Sequence, residues 1–217
     1  VPVPSEEPEK IDGDDSATAM LSLRRLISVV VVDIRDYTVL TRKLDEGILS
    51  EVIGTWFRQS GEIIGEAGSW VDKYIGDAVM AVWFHSEEQV SPQEMLKLCQ
   101  ALVNLQKMTQ ALSQQYTLPF PLRIGAGVNT GYAMVGNTGS GDRPDYTALG
   151  DTVNAAFRLE SSTKQLGKDV ALGQATYHYL ASTVAAASLL EAHQVQLKGY
   201  DRPMLTYVGN FSDIEAC

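Results

Sequence analysis

Residues 26–38 read LISVVVVDIRDYT and residues 69–84 read SWVDKYIGDAVMAVWF. In the first stretch an apolar run that does not alternate ends at Asp33 and gives way to a short polar turn. A run that does not alternate is expected of a central strand covered on at least one face. In the second stretch two β-rich runs flank Gly76-Asp77, a dipeptide type that favours a tight hairpin turn. If the hairpin lies beside the first strand, Asp77 comes near Asp33. Two carboxylates at a strand end are a common way to hold Mg²⁺ against a phosphate-bearing substrate, because Mg²⁺ prefers hard oxygen ligands. Either aspartate alone reads equally well as an ordinary turn former.

Outward from these stretches the periodicity is helical. Leu44, Ile48, Val52, Trp56, Ile63 and Ile64 predict one helix over 41–67, stopped by Gly68. A second long helix is expected over 91–116, with Ser91 as N-cap, Pro92 in the first turn and a stripe from Met95 to Leu112. Residues 122–129 and 132–136 read as two strands turning at Thr130-Gly131, followed by a flexible loop over 137–144. A helix over 152–166, a strand over 169–173, a helix over 174–186 and two final strands around a turn at 198–203 complete the chain. The order βαββαβ with additional C-terminal elements predicts an α+β, ferredoxin-like sandwich.

The chain has 217 residues, 45% of them hydrophobic, enough for a packed core. Its net charge of −10 argues against a nucleic-acid surface. Much of that charge lies in the first fifteen residues, so residues 1–20 are expected to be an acidic, disordered linker and 21–217 the folded domain. Its two cysteines, Cys99 and Cys217, fit a reduced, cytoplasmic protein. No apolar run approaches the roughly 20 residues of a membrane span, and the start is no signal peptide. The missing initiator Met suggests a fragment whose remainder could hold an anchor or sensor. There is no Ser-His-Asp set, no CxxC pair and no Walker A signature. His85, His178 and His193 lack metal-ligand spacing and read as ordinary core or surface residues.

Four separated motifs, DIRDYT, VDKYIGDAVMAVW, DYTALGDTVNAAFRLE and QLKG, occur in the order found in the class III nucleotidyl cyclases. The chain resembles that family from about residue 26 to 208. The resemblance implies conversion of ATP to 3′,5′-cyclic AMP and pyrophosphate, with two Mg²⁺ or Mn²⁺ ions held by Asp33, Asp77 and the backbone carbonyl of Ile34. Arg35, Asp36, Tyr37 and Thr38 would cradle the phosphates through backbone N–H groups. The sequence departs from the commonest pattern at Asp36, where many cyclases have Gly. Asp36 is expected to face solvent or to cap the next helix.

By the same resemblance Lys73 and Thr147 read the base. Adenine N1 accepts and wants a donor such as Lys, whereas guanine N1 and N2 donate and want a carboxylate. A Thr hydroxyl can accept from the adenine N6 amino group. The Lys and Thr pair resembles the soluble and cyanobacterial adenylyl cyclases, which implies a possible bicarbonate effector. Asn154 and Arg158, four apart on a helix, match the family's catalytic pair, one orienting ribose and the other stabilising charge on the α-phosphate. Lys198 would contact the terminal phosphates. Each has a plainer reading as well: a solvated strand lysine, an unremarkable NxxxR helix face, a solvated turn lysine. Related domains share their sites across a head-to-tail dimer, so a homodimer with two equivalent sites is expected. A guanylyl cyclase and a catalytically inactive regulatory module that binds nucleotide or bicarbonate are the alternatives.

Overall fold

The computed structural model describes residues 23–69, 71–86, 88–137 and 146–215. The linker expected over 1–20, the loop over 138–144 and Cys217 lie outside them. The described chain runs β1 (Leu23–Ile34), α1 (Tyr37–Lys43), α2 (Glu46–Glu66), β2 (Val71–Ile75), β3 (Ala78–Phe84), α3 (Pro92–Gln115), β4 (Ile124–Asn137) and β5 (Tyr146–Leu149). It continues through α4 (Asp151–Leu166), β6 (Val170–Gly173), α5 (Gln174–Ala181), a 3-10 turn (Ala185–Leu189), β7 (Glu191–Val195), β8 (Met204–Gly209) and α6 (Phe211–Glu215). The strands form one sheet ordered β2-β3-β1-β4-β6-β8-β7, with β5 paired to β4. This is the expected α+β sandwich.

The non-alternating run in β1 is explained by burial on both faces. Successive side chains of a strand point to opposite sides. Val30, Val32 and Ile34 join the apolar layer that contains Val52 and Trp56 of α2 and Leu98 and Leu102 of α3. Ile27, Val29 and Val31 join Met80, Val82, Val153 and Ala156, a layer closed by α4. The parity continues past the apolar run, so Asp33 and Arg35 fall on the α4 side. The hairpin forms as expected: Ile75 pairs with Ala78 across Gly76-Asp77, and Gly76 takes a φ of 61°.

The structure corrects several element boundaries. The single helix over 41–67 is two helices. Leu44 is extended, and the Asp45 carboxylate accepts from the Gly47 and Ile48 amides to start α2 afresh. The two strands over 122–136 are one. Gly131 pairs with Ile27 in line rather than turning the chain, and a Cβ there would lie 2.8 Å from Thr152 Oγ1. Gly131 therefore serves the approach of α4, not a turn. The helix over 174–186 ends at Ala181, followed by the 3-10 turn. Ser91 caps α3 as expected and forms a full capping box with Glu94.

His85 is a core residue with an unexpected role. It is buried, Ser28 Oγ lies 2.7 Å from its Nε2, and Glu94 Oε2 lies 3.0 Å from its Nδ1. Ser28 continues to Thr130, and Thr130 to Thr176, each 2.8 Å apart. This chain of hydrogen bonds ties the start of α3 to β1, β4 and α5 and leaves its buried members satisfied.

Candidate active site

Asp33 is the penultimate residue of β1, directly opposite Ala78 on β3, which places the hairpin turn and Asp77 beside it. Asp33 is buried, and among the described residues its Oδ1 meets no amide, ammonium or hydroxyl donor, only the Glu160 carboxyl. Its Oδ2 lies 3.2 Å from Lys164 Nζ on α4. Burial pushes the Asp77 carboxyl above its ordinary value, and the charge of Asp33 adds to the rise. Two hard oxygen donors of like charge fit a divalent cation. Ile34 closes the strand beside Asp33, opposite Ile124 on β4.

Arg35 differs from the sequence expectation. Its backbone N–H donates to the Arg123 carbonyl at 2.8 Å and is therefore spent within the sheet rather than available to a phosphate. Its guanidinium turns under α4, donating to Thr163 Oγ1 and, at 3.2 Å, to the Lys168 carbonyl. Arg35 Nη1 is 4.0 Å from Glu160 Oε1. Glu160 was not singled out in the sequence, although it stands within the motif that carries Asn154 and Arg158. Burial, then the hydrogen bond and charge of Asp33, push its carboxyl up to about 8. Gly125 leaves the space that the Arg35 guanidinium crosses.

Asp36 has φ 55° and ψ 32°, the left-handed conformation that Gly adopts freely and Asp tolerates better than most residues. That geometry accommodates Asp at a position where the resemblance leads one to expect Gly. Its backbone carbonyl accepts from the Leu40 amide, so it occupies the N-cap position of α1, but its exposed side chain caps nothing. Tyr37 and Thr38 are the first helical residues of α1, where amides have no intrahelical acceptor.

A second group assembles elsewhere on α4. Asn154, Arg158, Lys198, Tyr200 and Asp151 line a cleft of about 680 Å³ between the start of α4 and the β7–β8 connection. Three of these were expected together from the motifs, and they do share the cleft. Tyr200 donates its hydroxyl proton to Asp151 Oδ1 at 2.9 Å, and Gly199 takes a φ of 86°, so the turn bearing Lys198 is pinned to the first turn of α4. Burial and the Asp151 carboxylate push the Tyr200 phenol up to about 12. Lys73 on β2 and Thr147 on β5 also meet: Lys73 Nζ donates to Thr147 Oγ1 at 2.7 Å.

These groups do not converge within one chain. Asn154 and Arg158 project within about 40° of each other around α4, whereas Glu160 projects about 200° from Arg158. The helix thus turns Glu160 and Lys164 toward Asp33 while it turns Arg158 into the cleft, which neither Asp33 nor Asp77 lines.

The sequence model described as the adenylate and guanylate cyclase catalytic domain matches residues 23–210. An adenylate cyclase of Anabaena cylindrica is 28% identical over 183 residues, covering 84% of this chain and 36% of that protein. Adenylate cyclase 1 of Rhizobium meliloti is 29% identical over 148 residues, covering 68% of this chain and 22% of that protein. The chain therefore spans about a third or less of these relatives. Among solved structures, the adenylyl cyclase CyaB from P. aeruginosa matches with a TM-score of 0.70 and 28% identity, covering 86% of this chain and 94% of that one. A guanylyl cyclase matches with the same TM-score at 25% identity, covering 86% and 92%. On the match over residues 23–210, this chain belongs to the adenylate and guanylate cyclase catalytic domain family.

Proposed function

We propose that the chain is an adenylyl cyclase domain that converts ATP to 3′,5′-cyclic AMP and pyrophosphate. The observation that carries this reading is the shared cleft of Asn154 and Arg158 from α4 and Lys198 from the β7–β8 connection, residues whose chemistry suits a triphosphate and its ribose. The 3′-hydroxyl gives up its proton to water, its oxygen bonds to the α-phosphorus, and the bond from that phosphorus to the departing pyrophosphate breaks. Arg158 stabilises the charge that builds on the α-phosphate, Asn154 orients the ribose, and Lys198 holds the terminal phosphates. Asp33, Asp77 and the Ile34 carbonyl would hold two divalent cations, Mg²⁺ or Mn²⁺, which lower the pKa of the 3′-hydroxyl and offset charge on the leaving group. Asp36, Tyr37 and Thr38 lie against the phosphates. Arg35 supports that turn from beneath instead of contributing an amide.

The contact between Lys73 and Thr147 favours ATP. Lys73 supplies an N–H donor and Thr147 a hydroxyl oxygen that accepts. The pair therefore presents a donor and an acceptor side by side, as the adenine N1 and N6 edge requires. A site that hydrogen-bonds its base rejects the wrong one strongly. The likeness to a guanylyl cyclase at 25% identity keeps GTP as the second reading. Bicarbonate responsiveness finds no support in the described geometry or in these relatives.

The division of α4 supports a homodimer with two shared sites. One chain turns Arg158 away from its own Asp33, so a complete site needs the metal carboxylates of one chain and the cleft of another. Product formation from ATP and from GTP with Mn²⁺, across a range of protein concentrations, tests the whole reading. Cyclic AMP from ATP, with specific activity rising as dimers form, is the expected result. No cyclic product from either nucleotide from a folded dimer would refute it. Asp33→Ala and Arg158→Ala proteins, each inactive alone, should regain activity when mixed; failure to complement despite dimerisation would refute the shared site.

A further inference from the structure

We propose that Lys164 is the resident counter-ion of the metal-binding carboxylates, and that a divalent cation binds by displacing it. The proposal rests on the reading of Asp33 and Asp77 as metal ligands. Lys164 Nζ lies 3.2 Å from Asp33 Oδ2 and engages that oxygen. The two members of the pair differ sharply in exposure. The Asp33 side chain is 9% exposed and the Lys164 side chain 58%. The lysine can therefore swing into solvent at little cost, whereas the aspartate cannot leave.

The surroundings show why a movable charge is needed there. The charge of Asp33 acts on Asp77 of the hairpin and on Glu160 of α4. Two cationic side chains serve these carboxyl groups. Arg35 is tied to Thr163 and to the Lys168 carbonyl beneath the helix and stays where it is. Lys164 stands at the outer side, on the last turn of α4, with Gly167 in a left-handed conformation closing the helix behind it. Arg35 is the fixed part of the charge balance, and Lys164 is the part exchanged for a metal. The lysine keeps Asp33 compensated and in place before metal arrives, and it competes with the metal for the same oxygen.

Binding of Mn²⁺ to nucleotide-free protein, followed by the loss of the free-ion electron paramagnetic resonance signal, tests this without reference to turnover. Lys164→Met keeps the apolar stem and removes the charge, so Mn²⁺ should bind about three- to tenfold more tightly, the size expected of one half-exposed pair plus residual repulsion. Lys164→Arg keeps the charge and should bind as the wild type does. Unchanged or weaker binding in Lys164→Met, while Asp33→Asn abolishes binding, would overturn the counter-ion role and leave the metal site standing. Undiminished binding in Asp33→Asn would overturn the metal-site reading itself, and the proposal with it. Because Lys164 is exposed, circular dichroism of both lysine variants should match that of the wild type.

Discussion

Replacing Gly127 with Ala should destabilise this domain, and the reason is local. Gly127 lies on β4 opposite Val31, under α4. A Cβ there would stand 2.5 Å from the Ala156 carbonyl oxygen and 2.8 Å from Glu160 Cα, and closer still to the Glu160 amide nitrogen. All three are backbone atoms, so no side chain can rotate to make room. The Ala156 carbonyl would have to retreat by about 0.9 Å to regain the 3.4 Å of an ordinary contact. Overpacking of this kind costs about 1–3 kcal/mol. For a domain of this size that lowers Tm by about 3–10 °C. Displacing α4 by most of an ångström also moves Asn154 and Arg158, and misplacement on that scale costs on the order of a hundredfold in rate. Gly54→Ala is the matched control. Gly54 lies inside α2 with nothing within 4 Å of its missing Cβ, so the change should stabilise by about 0.5–1 kcal/mol. Thermal unfolding followed by circular dichroism, with cyclase kinetics on the same samples, reads both effects. A Gly127→Ala protein that melts within about 1 °C of the wild type, with Gly54→Ala unchanged or lower, would refute this packing argument.

Three other outcomes are expected. Asp36→Gly should leave stability within about 0.5 kcal/mol, because Gly adopts the left-handed conformation freely but loses more entropy on folding, whereas Asp36→Val should cost about 1–2 kcal/mol; denaturant midpoints with constant slopes check both. His85 is buried, and desolvation pushes its imidazole below the ordinary value more strongly than Glu94 holds it up. The unfolded chain therefore takes up a proton near pH 6.5 that the folded chain refuses, so stability falls as pH drops through that value, by at most about 1.4 kcal/mol per unit; Tm between pH 7.5 and 5.5 should fall more steeply for the wild type than for His85→Gln. Lys73→Glu combined with Thr147→Ala should move nucleotide preference toward GTP, measured as the ratio of kcat/KM values, and unchanged ATP selectivity would show that other residues read the base.

The fold was legible wherever one local signal dominated. The apolar run of β1, the Gly76-Asp77 hairpin and the Ser91-Pro92 start of α3 all formed as read. The misreadings share a cause: a local signal with two uses. Thr130-Gly131 looks like a turn, but Gly131 is small because Thr152 lies over it. Asp45 caps a new helix in the middle of an apolar period that seemed continuous. At the site, the resemblance brought Asn154, Arg158 and Lys198 together and paired Lys73 with Thr147. It did not reveal that the Arg35 amide is engaged by Arg123, nor that Glu160 and Lys164 face Asp33. The first continues the β1–β4 pairing one residue past its end, and the second depends on how α4 lies across β1 and β4; no spacing within a single motif encodes either.

The division of β1 between two apolar layers governs how this sequence can drift. Substitution of one aliphatic residue for another between Val29 and Val32 leaves every side chain in its own layer, so that stretch can wander among Val, Ile and Leu at modest cost. Loss or gain of a single residue there is a different event. It would hand the Asp33 carboxylate to the layer of Trp56 and Leu98 and carry Arg35 away from the underside of α4. Among descendants of this chain, the spacing from Ile27 to Arg35 should therefore stay fixed while its spelling changes, with indels confined to the connections that lead into and out of the strand.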